Sequence, residues 1–154
     1  MGWWLVADTI ADQIVAAVYA RLQAILTASG YNTDAGESVY MDRASLDSET
    51  IDYPALLVYD LQEDTEQLTN RRQRNRLTLQ VDGFAKDADV RPLIGDVKKA
   101  VMLASDTTLS GLCHHIGYDG YSIERPEDGS RFARAEVRFW CEYDEDYGDP
   151  YTLT

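Results

Sequence analysis

The chain has 154 residues, a net charge of −13 and a hydrophobic content of 45%, which predicts one acidic globular domain with a core of its own. Its apolar runs are too short to cross a membrane, and residues 1–13 lack the basic segment and cleavage site of a signal peptide. A surface of this charge repels nucleic acid, so we expect no specific DNA or RNA binding. The two cysteines, Cys113 and Cys141, are expected to be reduced and cytoplasmic.

The first predicted element is a helix over residues 3–29. Apolar side chains recur there every three or four positions from Ile10 to Ile25, the spacing of one buried helix face. Asp8 is expected to cap the start of the helix, and Gly30 is expected to stop it.

Two tryptophans, Trp3 and Trp4, come before this regular pattern. One interpretation is a hydrophobic lid over the start of the helix. The other is an anchor into a neighbouring subunit, because large aromatic side chains dominate the binding energy of such contacts. The sequence leaves both interpretations open.

Three strands are predicted between the two helices. A short one covers 38–42, and the next, over 55–61, is apolar on both faces and therefore belongs in the interior of a sheet. A polar connection over 62–73 is expected to be exposed and mobile. Apolar and polar residues then alternate over 77–82, the period of a half-buried strand. The last two strands should form a long antiparallel hairpin.

A second helix is predicted from Asp89, which should cap it. The buried stripe of this helix is expected to comprise Leu93, Ile94, Val97, Val101 and Ala104. A strand over 114–124 and a last strand over 133–143 follow, and the last strand has one apolar and one charged face. The acidic segment from about 144 onwards is expected to leave the domain as an extended tail.

This order of elements predicts an α+β fold for residues 1–154 as a single domain. Long alternating strands joined by turns favour a mostly antiparallel sheet of four to five strands, with the two helices packed on one face.

Opposite charges are concentrated in two segments. The basic cluster comprises Arg71, Arg72, Arg74 and Arg76. The acidic segment near the C-terminal end contains Glu142, Asp144, Glu145, Asp146 and Asp149. One hypothesis is that the arginines of one subunit meet the acidic residues of its neighbour, since such complementary charge sets the register of head-to-tail rings. The alternative is an ordinary solvated flank of the hairpin.

No catalytic, cofactor or metal site is predicted. Cys113, His114 and His115 are adjacent, but neighbours in a strand point to opposite faces and do not converge on one ion. The acidic C-terminal residues lack the twelve-residue spacing and the closing Glu of a calcium loop. A catalytic nucleophile needs a base within reach and a third group that orients this base. The only histidines are this adjacent pair, so no such arrangement is predicted.

Several stretches together resemble the tail terminator and tail completion proteins of long-tailed bacteriophages. These stretches span most of the chain: GYNTDAG at 30–36 after the first helix, YPALLVYD at 53–60, LTLQVDGFAKDADVRPLIGDVKKAVM at 77–102 and RPEDGSRFARAEVRFWCEYDEDYGDPY at 125–151. The layout of the elements contributes to the likeness as much as any one stretch.

The resemblance implies a small α+β domain that forms a hexameric ring. Such a ring caps the tail tube, stops its polymerisation and presents a surface to a head-completion or connector protein. It would be assembled in the host cytoplasm, lie at the head–tail junction of the virion, and let DNA pass through its lumen without specific binding. No catalysis, cofactor or membrane is implied.

Three other interpretations compete with this one. A head-side connector or closure protein of the phage neck would share the size, the ring and the charge. An acidic DNA mimic that inhibits a host nuclease would spread its carboxylates along one elongated face, whereas here an arginine cluster interrupts them. An enzyme would need a pocket with strongly perturbed titrating groups.

Overall fold

The computed structural model describes residues 8–41, 52–125 and 132–154. The helices and strands in these ranges are α1 Ile10–Leu22, β1 Val39–Met41, β2 Ala55–Gln67, β3 Arg72–Lys86, α2 Val90–Val101, β4 His115–Glu124 and β5 Phe132–Asp146. Their order is the predicted order, and the predicted α+β class is confirmed. No helix in the described ranges is long and apolar enough to cross a bilayer.

The five strands form one sheet in the order β1-β2-β3-β5-β4. β1 is parallel to β2, and the other neighbours are antiparallel. β3 lies at the centre and pairs along its whole length with β5, from Arg72 opposite Asp146 to Lys86 opposite Phe132. The last strand of the sequence therefore sits inside the sheet, and β4 forms an edge.

Both helices pack on one face of this sheet. Val81 of β3 lies at the middle of that face, between Val58 of β2 and Val137 of β5, and all three are almost completely buried. The predicted alternation of the last strand is confirmed, since its odd-numbered residues from Ala133 to Tyr143 are all buried. We call the opposite face, which no described helix covers, the outer face.

The first helix differs from its prediction at both ends. Its N-cap is Thr9, not Asp8: the Thr9 hydroxyl accepts from the Asp12 backbone N–H at 3.1 Å, and the Asp12 carboxylate accepts from the Thr9 N–H at 3.2 Å. This reciprocal pair satisfies two backbone N–H groups at the start of the helix, whereas a single capping side chain would satisfy only one. The helix ends at Leu22, and Gly30 (φ +92°) instead ends a short 3₁₀ turn. Trp3 and Trp4 lie outside the described residues.

The end of the second helix is held by Arg21 of α1. Its guanidinium donates to the Val101 carbonyl at 2.7 Å and to the Asp106 carboxylate at 2.9 Å. The helix therefore stops at Val101, and Ala104, predicted in its buried stripe, is exposed. Asp89 occupies the predicted N-cap position but makes no capping hydrogen bond with its side chain.

Candidate assembly surface

The polar segment predicted as a loop is instead strand. β2 continues to Gln67 and β3 begins at Arg72, which leaves only residues 68–71 as the connection. The prediction failed because this part of β2 is exposed and polar on both faces, so it lacks the apolar alternation that marks a half-buried strand. Its exposure was predicted correctly. We call β2 from Gln62, β3 as far as Arg76 and β5 from Glu142 the distal sheet end.

Arginines and carboxylates face each other across two strands of this region. Arg74 lies opposite Asp144 and holds it through two hydrogen bonds, at 2.8 Å from Nε and 3.2 Å from Nη2. Arg76 lies opposite Glu142, with Nη1 at 3.7 Å from a carboxylate oxygen. The predicted partners are thus brought together, but by the antiparallel register within one chain.

The remaining two arginines of the cluster differ from these. Arg71 belongs to the connection, and Arg72 is exposed at the first position of β3, opposite Asp146. Among the described residues neither makes an ion pair, whereas Arg74 and Arg76 do. If a neighbour's acidic surface meets this cluster, Arg71 and Arg72 are the members best placed to receive it.

Asp144 is the most constrained of the predicted contact residues. Only 6% of it is exposed, and besides Arg74 it has His114 Nε2 at 3.2 Å. The hydrogen bonds from Arg74 lower the pKa of Asp144, and those from His114 add to the effect against the opposing effect of burial. Asp144 is therefore a structural carboxylate that holds the distal sheet end together, rather than a free surface charge.

The acidic segment does not leave the domain, so that prediction is wrong. β5 runs on to Asp146, and the chain then turns back so that Leu153 bridges to Glu145. A further bond joins the Ile10 N–H to the Pro150 carbonyl at 2.9 Å. The reason is that β4 begins opposite Glu142 and leaves the edge of β5 beyond it to be covered.

This arrangement places two other predicted contact residues differently. Glu145 lies on the helix-side face, only 6% exposed, and accepts from the Gln73 side chain at 2.7 Å. Asp149 sits in the turn, where its N–H donates to the Asp146 carbonyl at 3.0 Å. Of the predicted acidic residues, Asp146 is the one left exposed.

Removing residues 149–154 should lower stability. The truncation deletes the bond from Ile10 to Pro150 and the bridge from Leu153 to Glu145. We expect a loss of roughly 2–4 kcal/mol, at about 0.5–1.5 kcal/mol for each hydrogen bond together with the newly exposed strand edge. Urea unfolding of both chains measures this. Tyr121→Ala, which changes an exposed ring on β4 and keeps the turned-back segment, is the control; a truncated chain of unchanged stability would contradict the expectation.

A polar network occupies the outer face beyond the distal sheet end. Asp82, only 2% exposed, accepts from the Tyr59 hydroxyl at 2.9 Å, from the Gln80 amide at 2.7 Å and from Arg134 at 2.8 Å. Sequence periodicity placed Gln80 and Asp82 opposite the core but gave no sign that they are buried. Burial, followed by the hydrogen bond and the charge of Asp82, raises the pKa of Tyr59 to about 12.

Because its pKa is raised in the folded chain, Tyr59 makes the fold less stable as the pH becomes alkaline. Tyr59 keeps its proton in the folded chain up to a pKa of about 12, while the unfolded chain loses it near 10.0. The contribution is therefore complete below pH 10 and is lost as the pH rises towards 12. Melting temperatures measured across this window should fall less steeply in Tyr59→Phe than in the natural chain. Tyr121→Phe, at an exposed tyrosine, should not change the slope; equal slopes for all three chains would contradict the assignment.

Exposed rings at the distal sheet end were missed by the sequence reasoning. Tyr147 is 79% exposed and Tyr151 51%, and Leu68 in the connection is 38% exposed. The Tyr147 N–H donates to the Arg71 carbonyl at 2.7 Å, which fixes the turn to the start of β3. The available signal was the pair of tyrosines within an otherwise acidic segment.

The described residues offer little for catalysis or metal binding. They contain no group of three or more His, Cys, Asp or Glu placed to hold a metal ion. Cys113 and Cys141 are both buried free thiols, and their mutual hydrogen bond, together with burial, raises the pKa of Cys141.

No protein-family model and no curated protein matches the chain.

Proposed function

We propose that this chain is a structural virion protein that forms a ring, hexameric as the resemblance implies, on the end of a bacteriophage tail tube. The ring stops polymerisation of the tube and provides the interface for a head-completion or connector protein. The observation that carries the proposal is the distal sheet end, where exposed rings and ordered charge pairs are presented on a three-stranded extension of the sheet. Such a surface suits contacts between proteins.

Charge supports the same function. A net charge of −13 suits a lumen through which DNA moves without binding. An acidic DNA mimic is less well supported, because Arg74 and Arg76 neutralise carboxylates on the outer face instead of leaving them as a continuous negative stripe.

Tail length in phage particles that lack this gene tests the proposal. We expect overlong tails by electron microscopy, and normal tails when the gene is supplied in trans. Tails of normal length without heads would favour the connector or closure protein instead. Normal infectious particles would exclude both structural functions and bring forward the inhibitor of a host nuclease.

A further inference from the structure

Tyr147 presents an exposed aromatic ring at one end of the molecule, on a backbone that a hydrogen bond holds in place. It follows β5 directly, and its backbone is held by the bond to the Arg71 carbonyl. The turn is closed by the bond from the Asp149 N–H to the Asp146 carbonyl, with Gly148 at φ +80°. A large ring held on an ordered turn loses little conformational freedom on binding, which is what a contact anchor requires.

An aromatic pocket lies at the other end of the same sheet. Its volume is about 580 Å³, within the usual range of binding pockets. The rings of Tyr53 and Phe132 stack there with centroids 4.5 Å apart, and Phe84 lies beneath the Arg134 guanidinium at 6.0 Å. We call this site the proximal pocket; it is lined by Tyr53, Phe84, Glu124, Arg125, Phe132, Ala133 and Arg134.

The lining of the proximal pocket matches an aromatic side chain. Tyr53, Phe84 and Phe132 supply three rings, and Phe132 is 39% exposed. Aromatic rings attract one another in offset-stacked and edge-to-face arrangements. The pocket therefore favours an aromatic occupant.

We propose that Tyr147 of one copy inserts into the proximal pocket of a second copy. This inference deepens the proposed ring and rests on it, because it names the contact that joins neighbouring subunits. The Tyr147 side chain packs against Tyr53, Phe84 and Phe132, in the offset arrangements that aromatic side chains prefer.

The geometry requires the two partners to belong to different chains. Phe132 opens β5 and Tyr147 follows its last residue, and β5 is 15 residues long. At ~3.3 Å per residue the two ends lie roughly 45 Å apart, so a chain does not fill its own pocket with its own Tyr147. A contact between opposite ends is head-to-tail, and repeated contacts of this kind close into a ring or continue as a filament.

Charge complementarity favours the same pairing. Asp146 and Asp149 flank the Tyr147 turn, while the pocket is lined by two arginines, Arg125 and Arg134, and by one carboxylate, Glu124. Both arginines already have carboxylate partners within the chain, so ring packing supplies most of the affinity and charge mainly sets the orientation. The sequence suggested that arginines of one subunit meet the acidic segment of its neighbour. The proposed contact keeps this idea, with Arg125 and Arg134 in place of the basic cluster.

Sedimentation velocity on the full chain over a concentration series tests the contact. Tyr147→Ala and Phe132→Ala should each weaken self-association at least roughly 30-fold, the effect of removing a central aromatic anchor. Tyr121→Ala is the matched control, because Tyr121 is 50% exposed on β4 and lies outside the pocket. Thermal melts establish that each variant is folded; Tyr53→Ala, which removes the ring stacked on Phe132, replaces Phe132→Ala if the latter is not.

Mixing the two variants gives the sharper result. Each alone should be monomeric, but the Phe132→Ala chain still supplies Tyr147, and the Tyr147→Ala chain still supplies an intact pocket. An equimolar mixture should therefore form a one-to-one dimer and nothing larger. A natural chain that stays monomeric at every concentration, a Tyr147→Ala chain that associates normally, or a mixture without dimer would each overturn the proposal.

These outcomes are separate from those of the tail-length experiment. Association through Tyr147 together with normal tails in the gene deletion would retain the contact and discard the capping function. Overlong tails in the deletion, with association unaffected by Tyr147→Ala, would retain the cap and discard this contact.

Discussion

Val81→Asp should abolish cooperative folding of the domain. Val81 is completely buried at the centre of the sheet, with Val58 and Val137 opposite it on the two neighbouring strands. A carboxylate there has no hydrogen-bond partner or counter-charge, and we expect a loss of more than roughly 4 kcal/mol, a large part of a typical domain's stability of about 5–15 kcal/mol. Circular dichroism during thermal unfolding measures the effect.

Thr78→Asp is the control for this variant. Thr78 lies three residues earlier on β3 and points to the outer face, between Gln62 and Trp140. We expect its melting curve to stay cooperative and to shift little. A cooperative transition in Val81→Asp at the natural temperature would mean that this position is not in the core.

Arg74→Glu should weaken the distal sheet end within a single chain. The substitution places a carboxylate beside Asp144, which is only 6% exposed and is held by two hydrogen bonds from Arg74. The nearby Glu142 adds a further like charge. We expect the melting temperature to fall. The decrease should be largest at low salt, because salt screens the repulsion.

A charge swap separates pairing from mere loss of the arginine. The double variant Arg74→Glu with Asp144→Arg restores opposite charges at the same register position and should recover much of the lost stability. Arg72→Glu is the matched control, since Arg72 is exposed and makes no ion pair with a described residue; its effect should be small. Equal effects of Arg72→Glu and Arg74→Glu, or a swap that recovers nothing, would contradict the role of the pair.

Apolar periodicity predicted the helices and the core strands well. The buried residues of α1 and α2 recur every three or four positions, and β5 alternates strictly, so each pattern matched one kind of element. The prediction failed where burial is absent or incomplete. The outer half of β2 has polar side chains on both faces, and only its pairing with β3, from Gln62 opposite Thr78 to Gln67 opposite Gln73, shows it to be strand.

The candidate site was predicted in composition but not in arrangement. The arginines and the acidic residues were recognised as complementary, yet their pairing depends on the register of β3 and β5, which lie about seventy residues apart in sequence at Arg74 and Asp144. Local patterns carry no information on such a register. The acidic composition of the last segment also predicted a solvated tail. This segment instead turns back and pairs with the uncovered edge of β5.

The position of β5 in the sheet has a consequence for how the chain folds. β2 and β3 are neighbours in sequence and can zip together early, but β3 acquires its second partner only when β5, the last strand, has been synthesised. Until then the inner edge of β3 is unpaired and open to association with other chains. Contacts of such long sequence separation slow folding, so we expect a slow, aggregation-sensitive final step on the ribosome or during refolding.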